Sequence, residues 1–197
     1  MTVSWQLTKQ LFPKDFLENR VKTILLLRHA KSDWANPGLD DHERPLNRRG
    51  ERSAEAMADH IARHCPRPDL ILCSTAIRTR QTLAPLVRRL ASPAPPLALE
   101  KGLYLASEDA LLDRLQVVPD TAGTVLLIGH NDGIWQLAEA LAGDGPSELL
   151  GALREKYPTG TLAILRTPAR HWRDLAAGTA QLKAFVRPRD LVGDSAQ

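Results

Sequence analysis

Two arginines and two histidines of this chain each follow an apolar segment, at the point where the sequence turns abruptly polar. The four residues are Arg28, His29, Arg78 and His130, and the apolar segments before them are Ile24–Leu27, Asp69–Cys73 and Thr124–Ile128. A neutral imidazole can attack phosphorus, while guanidinium groups and a second imidazole hold the charged oxygens of a phosphoryl group. The residue types therefore favour phosphoryl transfer through a covalent histidine intermediate.

Two other uses of these histidines compete with this interpretation. A single histidine after a strand more often caps the strand or satisfies a core hydrogen bond than takes part in catalysis, and this applies to His29 taken alone. Two histidines can also bind zinc, but the sequence has no helical His-Glu-x-x-His pattern, and its only cysteines are Cys65 and Cys73. We interpret these cysteines as reduced structural thiols, and we predict chemistry that needs no metal and no cofactor.

The apolar segments predict the elements that position these side chains. They lack the alternation of a half-exposed strand, so each is expected to be a parallel strand that helices cover on both faces. Right-handed crossovers bring the carboxyl ends of parallel strands to one edge of the sheet, where α/β proteins bind ligands. We therefore predict an α/β fold, a three-layer α/β/α sandwich with a mostly parallel central sheet.

Helical spacing and capping residues predict the rest of the architecture. Helices are expected at 48–64 with Asn47 as N-cap, at 76–90, after Ser107 as N-cap, at 134–141 and at 148–156. Further strands are expected at 97–99, at 161–165 and at 181–186, the last as an edge strand. Residues 1–20 precede the first strand as an N-terminal extension, and residues 187–197 form a polar tail.

Composition limits the classes of protein to which the chain can belong. The 197 residues are 43% hydrophobic and 25% charged, which is typical of one globular domain. The formal net charge is only +3, and the cations are dispersed, which favours a local anion pocket over nucleic-acid binding. No membrane span and no signal-peptide pattern is found, so we predict a cytoplasmic protein without membrane contact.

The motifs around these residues resemble those of the histidine phosphatase superfamily. The segment LLLRHAKSDW is similar to its Arg-His signature, and RPLN at 44–47, CSTAIRTRQT at 73–82 and LIGHN at 127–131 follow in the family's order. The Arg-His-Ala-Lys-Ser form is most like the small branch typified by the phosphohistidine phosphatase SixA. The resemblance covers residues 22–165 and implies a phosphoglycerate mutase-like fold, with 21–186 as the histidine phosphatase domain.

The resemblance also implies roles for individual residues. His29 would be the nucleophile, Arg28 and Arg78 would bind the phosphoryl oxygens, and His130 would stabilise the transition state. Ser32 and Asn131 are close enough in sequence to line the pocket, although each is equally suited to form a turn. Lys31 is expected either to attract an anionic substrate or to be a solvated surface charge.

The glutamate that many members place after the third strand has no clear match in this sequence. Glu108 and Asp109 are weak candidates for the acid, because acids at a helix start more often cap the helix. A missing acid favours substrates with good leaving groups, such as phosphohistidine. We therefore expect a phosphatase for a phosphorylated protein or a small phosphate ester, with oligomeric state left open. The alternative is a phosphate-binding or scaffold protein that keeps the pocket without turnover.

Overall fold

A seven-stranded sheet forms the centre of the molecule. The computed structural model describes residues 21–90 and 93–191, so the predicted N-terminal extension 1–20 and the end of the predicted tail lie outside the described residues. The strands are β1 (Lys22–Arg28), β2 (Leu70–Ser74), β3 (Leu97–Glu100), β4 (Thr124–Gly129), β5 (Ala142–Asp144), β6 (Leu162–Thr167) and β7 (Ala180–Val186). Their order across the sheet is β3-β2-β4-β1-β6-β7-β5.

The sheet is mostly parallel, as predicted. Strand β1 pairs in parallel with β4, which pairs in parallel with β2, and β2 with β3; β6 runs antiparallel to both β1 and β7. The prediction that 181–186 is an edge strand is wrong, because β5 pairs with β7 on its outer side. The three residues of β5, Ala142, Gly143 and Asp144, have little strand propensity and no alternating pattern, so the sequence favoured a turn there.

Six helices occur in the described residues. They are α1 (Arg48–His64), α2 (Ile77–Arg89), α3 (Glu108–Gln116), α4 (Gly133–Leu141), α5 (Ser147–Glu155) and α6 (Pro188–Leu191). Both predicted N-caps are confirmed, since Asn47 accepts from the Gly50 amide and Ser107 from the Ala110 amide. None of these helices is long and apolar enough to cross a bilayer. The first residues of the predicted polar tail form helix α6.

Helices cover both faces of the sheet, so the predicted three-layer sandwich is confirmed. Along β1, Ile24 and Leu26 pack into the cluster that includes residues of α3, α4 and α5. The alternate residues Leu25 and Leu27 pack into the cluster that includes residues of α1 and α2. The side chains of Ile24, Leu25 and Leu26 are fully buried, which explains why β1 is an unbroken apolar run.

Both cysteines are unpaired, as predicted. Burial raises the pKa of the Cys65 thiol to about 11 and that of the Cys73 thiol to about 12, the latter against a smaller opposing effect of a hydrogen bond with Thr79. Since the thiolate is the reactive form, neither side chain is a nucleophile at neutral pH.

Candidate active site

The six residues predicted for the site line one cleft of about 350 Å³. They are Arg28, His29, Ser32, Arg78, His130 and Asn131. Strands β1, β4 and β2 are parallel neighbours, and Arg28 is in register with Gly129, so His29 and His130 leave the sheet side by side. Their ring centroids are 5.2 Å apart. Helix α2 starts just after β2 and brings Arg78 to the same edge.

His29 has one nitrogen fixed and the other unprotonated. Its Nδ1 lies 2.8 Å from the backbone carbonyl oxygen of Ala30, which can only accept, so Nδ1 carries the proton and Nε2 keeps its lone pair. Burial is the main cause that lowers the pKa of His29 to about 4, opposed by the Ala30 hydrogen bond and reinforced by the charges of Arg78 and Arg28. The imidazole is therefore a neutral potential nucleophile at physiological pH.

Arg78 is held by a loop that follows β1. Its Nη2 donates to Asp41 Oδ2 at 2.8 Å, and its Nη1 donates to the Asp41 backbone carbonyl. Tyr104 donates its hydroxyl proton to the same carboxylate oxygen at 2.7 Å. Partial burial alone would raise the pKa of Asp41, but the hydrogen bonds from Tyr104 and Arg78 outweigh it, so the pKa lies below its ordinary value. Asp41 is thus an ionised carboxylate beside the Arg78 guanidinium.

His130 connects Arg78 to β2. Nη2 of Arg78 lies 3.1 Å from Nδ1 of His130, and because a guanidinium only donates, Nδ1 must accept. The proton then lies on Nε2, which donates to Ser74 Oγ at 2.9 Å. Burial first, and then the nearby His29 and Arg78, lower the pKa of His130 to about 3. His130 is therefore neutral, and it orients Arg78 in this arrangement.

Arg28 is anchored from the other side of the cleft. Its Nη1 donates to the backbone oxygen of Tyr157 at 2.7 Å, while its buried Nε has no hydrogen-bond partner among the described residues. Asn131 reaches the same Tyr157 oxygen through Nδ2 at 3.4 Å, and its buried Oδ1 also has no partner within the described chain. Gly160 binds the end of β1, because its amide donates to the carbonyls of Arg28 and His29. Its φ of +77° favours glycine.

The mouth of the cleft carries exposed apolar groups. Trp34 and Leu105 both line it, with 64% and 55% of their surfaces exposed. The Trp34 indole donates to Ser32 Oγ at 3.1 Å, and the guanidinium carbon of Arg44 lies 4.2 Å from its ring centroid. Ser32 also pairs with Leu46 in an isolated antiparallel bridge, so it both lines the cleft and fixes the loop.

Sequence reasoning missed several residues of the site and named two that do not line it. The missed residues are Trp34, Asp41, Leu105 and Thr159, which line the cleft, and Tyr104 and Tyr157, which form hydrogen bonds with residues of the cleft. The only signal for Asp41 is its place in the polar loop three residues before Arg44, and no pattern marks the two tyrosines. Glu108 and Asp109, the two weak candidates for the acid, begin helix α3 and do not line the cleft.

The chain is similar to known proteins in sequence and in fold. A sequence model of the histidine phosphatase superfamily (branch 1) matches residues 24–103. An uncharacterized protein of Mycobacterium tuberculosis is 38% identical over 165 residues, which cover 83% of this chain and 100% of that protein.

Two solved structures are similar in both sequence and fold. The first is a proposed phosphohistidine phosphatase SixA from Nakamurella multipartitia, with 34% identity and a TM-score of 0.74, covering 85% of this chain and 96% of that one. The second is a proposed phosphohistidine phosphatase SixA from Agrobacterium tumefaciens, with 34% identity and a TM-score of 0.71, covering 85% and 98%.

Proposed function

The chain belongs to the histidine phosphatase superfamily, and from this premise we propose that it hydrolyses phosphohistidine on a protein substrate through a phosphohistidine intermediate at His29, without a metal ion. The observation that carries the proposal is the state of His29. Its Nδ1 proton is held by the Ala30 carbonyl, and its pKa of about 4 leaves Nε2 free to attack. The two guanidinium groups beside it, Arg28 and Arg78, suit the charged oxygens of a phosphoryl group.

In the first step, Nε2 of His29 attacks phosphorus, and the bond between phosphorus and the substrate's imidazole breaks. The bonding electron pair goes to the leaving nitrogen. The substrate reacts in the form whose other ring nitrogen is protonated, so its ring leaves as neutral imidazole and no further proton has to be supplied. Arg28 and Arg78 hold the phosphoryl oxygens during the transfer, and His130 keeps Arg78 in place.

In the second step, water attacks the phosphoryl group on His29. The bond between phosphorus and Nε2 breaks, its electron pair returns to Nε2, and the two water protons leave on dihydrogen phosphate. His29 regains its neutral form with Nδ1 still donating to Ala30. Atoms and charge balance in both steps without an external acid.

Among the described residues no neutral carboxylic acid lines the cleft, which supports a phosphohistidine substrate over an alkyl phosphate. Asp41 is the carboxylate that lines the cleft, and its lowered pKa keeps it ionised, so it is poorly suited to protonate a leaving alkoxide. An alkoxide needs that proton far more than an imidazole does. The two solved relatives at 34% identity are themselves proposed phosphohistidine phosphatases.

A panel of substrates tests the proposal. A phosphohistidine protein, a phosphoserine peptide and p-nitrophenyl phosphate are assayed for phosphate release with wild type, His29→Ala and the control His60→Ala, which changes a histidine of α1. We expect release from the phosphohistidine protein, much less from phosphoserine, and none with His29→Ala. Full activity of His29→Ala would refute the mechanism. Binding of the phosphoprotein without release would instead favour the scaffold alternative.

A further inference from the structure

A second cleft of about 390 Å³ adjoins the candidate active site. We call it the basic cleft, and its charged lining residues are Lys31, Arg49, Glu155, Lys156, Arg187 and Arg189. Lys31 and Thr159 line both clefts, so the two clefts adjoin near the end of β1. A protein substrate bound at His29 would therefore place its neighbouring residues beside the basic cleft.

Four parts of the chain bring these charges together. The backbone amide of Asn47 donates to the carbonyl of Lys31 at 3.0 Å, which places the first turn of α1, with Arg49, beside the end of β1. Lys156 directly follows α5.

Helix α6 is packed against the loop that contains Gly160. The Gly160 amide donates to the carbonyls of Arg28 and His29, and a Cβ at this glycine would lie 2.8 Å from Pro188 Cγ at the start of α6.

Most of the positive charge in the basic cleft is not neutralised by carboxylates of the described residues. Five lining residues are cationic and Glu155 alone is acidic. Arg187 and Arg189 lie 3.0 and 3.9 Å from carboxylate oxygens of Asp190. Lys31, Arg49 and Lys156 form no ion pair with any carboxylate of the described residues. Uncompensated like charges repel each other, and such a surface attracts an anionic partner.

We propose that the basic cleft binds acidic side chains that flank the phosphorylated residue of a protein substrate. This inference rests on the proposed function, since it concerns the part of the substrate beyond the phosphoryl group. Lys31, Arg49, Lys156 and Arg189 are exposed and come from separate elements, so they suit charges spread along a protein surface. A compact second phosphate would favour convergent, buried donors instead. Complementary charge of this kind raises the association rate and the specificity for the matching partner.

Two matched peptides test the proposal. Each carries one phosphohistidine; three neighbouring positions are Glu in the first peptide and Gln in the second. The full chain, the double variant Arg49→Gln/Lys156→Gln and the control Lys183→Gln are assayed for kcat/KM. Lys183 is an exposed cation of β7 that lines neither cleft. Hydrolysis of phosphoramidate, which has no flanking residues, reports on the catalytic cleft alone.

We expect wild type and Lys183→Gln to prefer the Glu peptide by about tenfold at low salt, a preference that 0.5 M salt removes. In the double variant, the preference should fall to about twofold or less while phosphoramidate hydrolysis stays unchanged. Equal hydrolysis of both peptides by wild type would overturn the inference and leave the proposed function intact. A preference that survives in the double variant would also overturn it.

Two further outcomes would contradict the inference in other ways. In the first, wild type shows no preference for the Glu peptide but prefers a small bisphosphate over its monophosphate. If the double variant lost that preference for the bisphosphate, the basic cleft would be assigned to a second phosphate group. Hydrolysis of neither peptide by wild type would contradict the proposed function itself, and the inference would fall with it.

Discussion

The replacement Asp41→Asn should increase the affinity of the cleft for phosphate and vanadate. Asp41 lies 2.8 Å from Arg78, whose side chain is only 5% exposed, so the carboxylate occupies a guanidinium edge that a phosphoryl group would use. It also repels a dianion in the cleft, because it is ionised. Asparagine keeps the size and one acceptor oxygen for Tyr104 and Arg78 but removes the charge.

The size of this effect follows from Coulomb's law. A single charge about 6 Å from a doubly charged phosphoryl group contributes roughly 1.4 kcal/mol of repulsion even at a dielectric constant of about 80. We therefore expect the inhibition constants of phosphate and vanadate to fall about tenfold in Asp41→Asn. The control is Asp40→Asn, which changes the neighbouring acid. The Asp40 side chain forms no hydrogen bond or ion pair with Arg78 in the described structure, so this variant should shift the constants by less than about twofold.

Inhibition of p-nitrophenyl phosphate hydrolysis at fixed ionic strength measures these constants. Weaker phosphate binding in Asp41→Asn would refute the reasoning, because it would mean that the charge of Asp41 is needed to hold Arg78 in place. A large loss of kcat with alkyl phosphates, but not with p-nitrophenyl phosphate, would show instead that Asp41 protonates the leaving group. Either result would require a different account of the cleft.

Three other predictions concern Ser74, His29 and Gly160. Ser74→Ala should lower kcat/KM about tenfold, because it leaves the Nε2 proton of His130 without its acceptor; kcat/KM within about twofold of wild type would contradict this. The lowered pKa keeps His29 neutral until the pH falls through about 4. The value of kcat/KM, corrected for substrate ionisation, should therefore be constant near neutral pH and should fall below about pH 4. A fall of kcat/KM near the ordinary histidine pKa of 6.5 would contradict this prediction. Gly160 has a φ of +77°, so Gly160→Ala should lower the free energy of unfolding, measured in urea, by about 1–2 kcal/mol. The control Gly151→Ala should not lower it, because a Cβ at Gly151 meets no atom within 4 Å. Equal effects of the two substitutions would contradict the role of the Gly160 φ angle.

The strands and the placement of the catalytic candidates could be predicted because burial leaves a strong mark on sequence. Strand β1 is fully apolar from Ile24 to Leu27 since helices cover both faces, and the same holds for β4. Parallel pairing then brings the residues that follow these strands to one edge of the sheet, so the proximity of His29 and His130 could be predicted from the sequence alone. The same logic failed for β5, whose three residues are half-buried or exposed and carry no such mark.

Contacts between loops could not be predicted. The bonds of Asp41 with Arg78 and Tyr104 join residues 37 and 63 positions apart and depend on how two irregular segments fold over the sheet edge. Neither segment has a period that would fix the direction of its side chains. The basic cleft was missed for the same reason, because Arg189 and Lys31 come to line one cleft through the packing of α6 against the loop at Gly160.

Direct detection of a phosphorylated His29 tests the central claim. The full chain is mixed with a labelled phosphohistidine protein and quenched within milliseconds into alkaline denaturant, in which a phosphorus–nitrogen bond survives, and the label is located by peptide mass spectrometry. We predict label on His29 of wild type and none on the His29→Ala variant. Two results would contradict a covalent intermediate at His29. The first is rapid phosphate release with no label on His29, and the second is label at another residue together with turnover retained in His29→Ala.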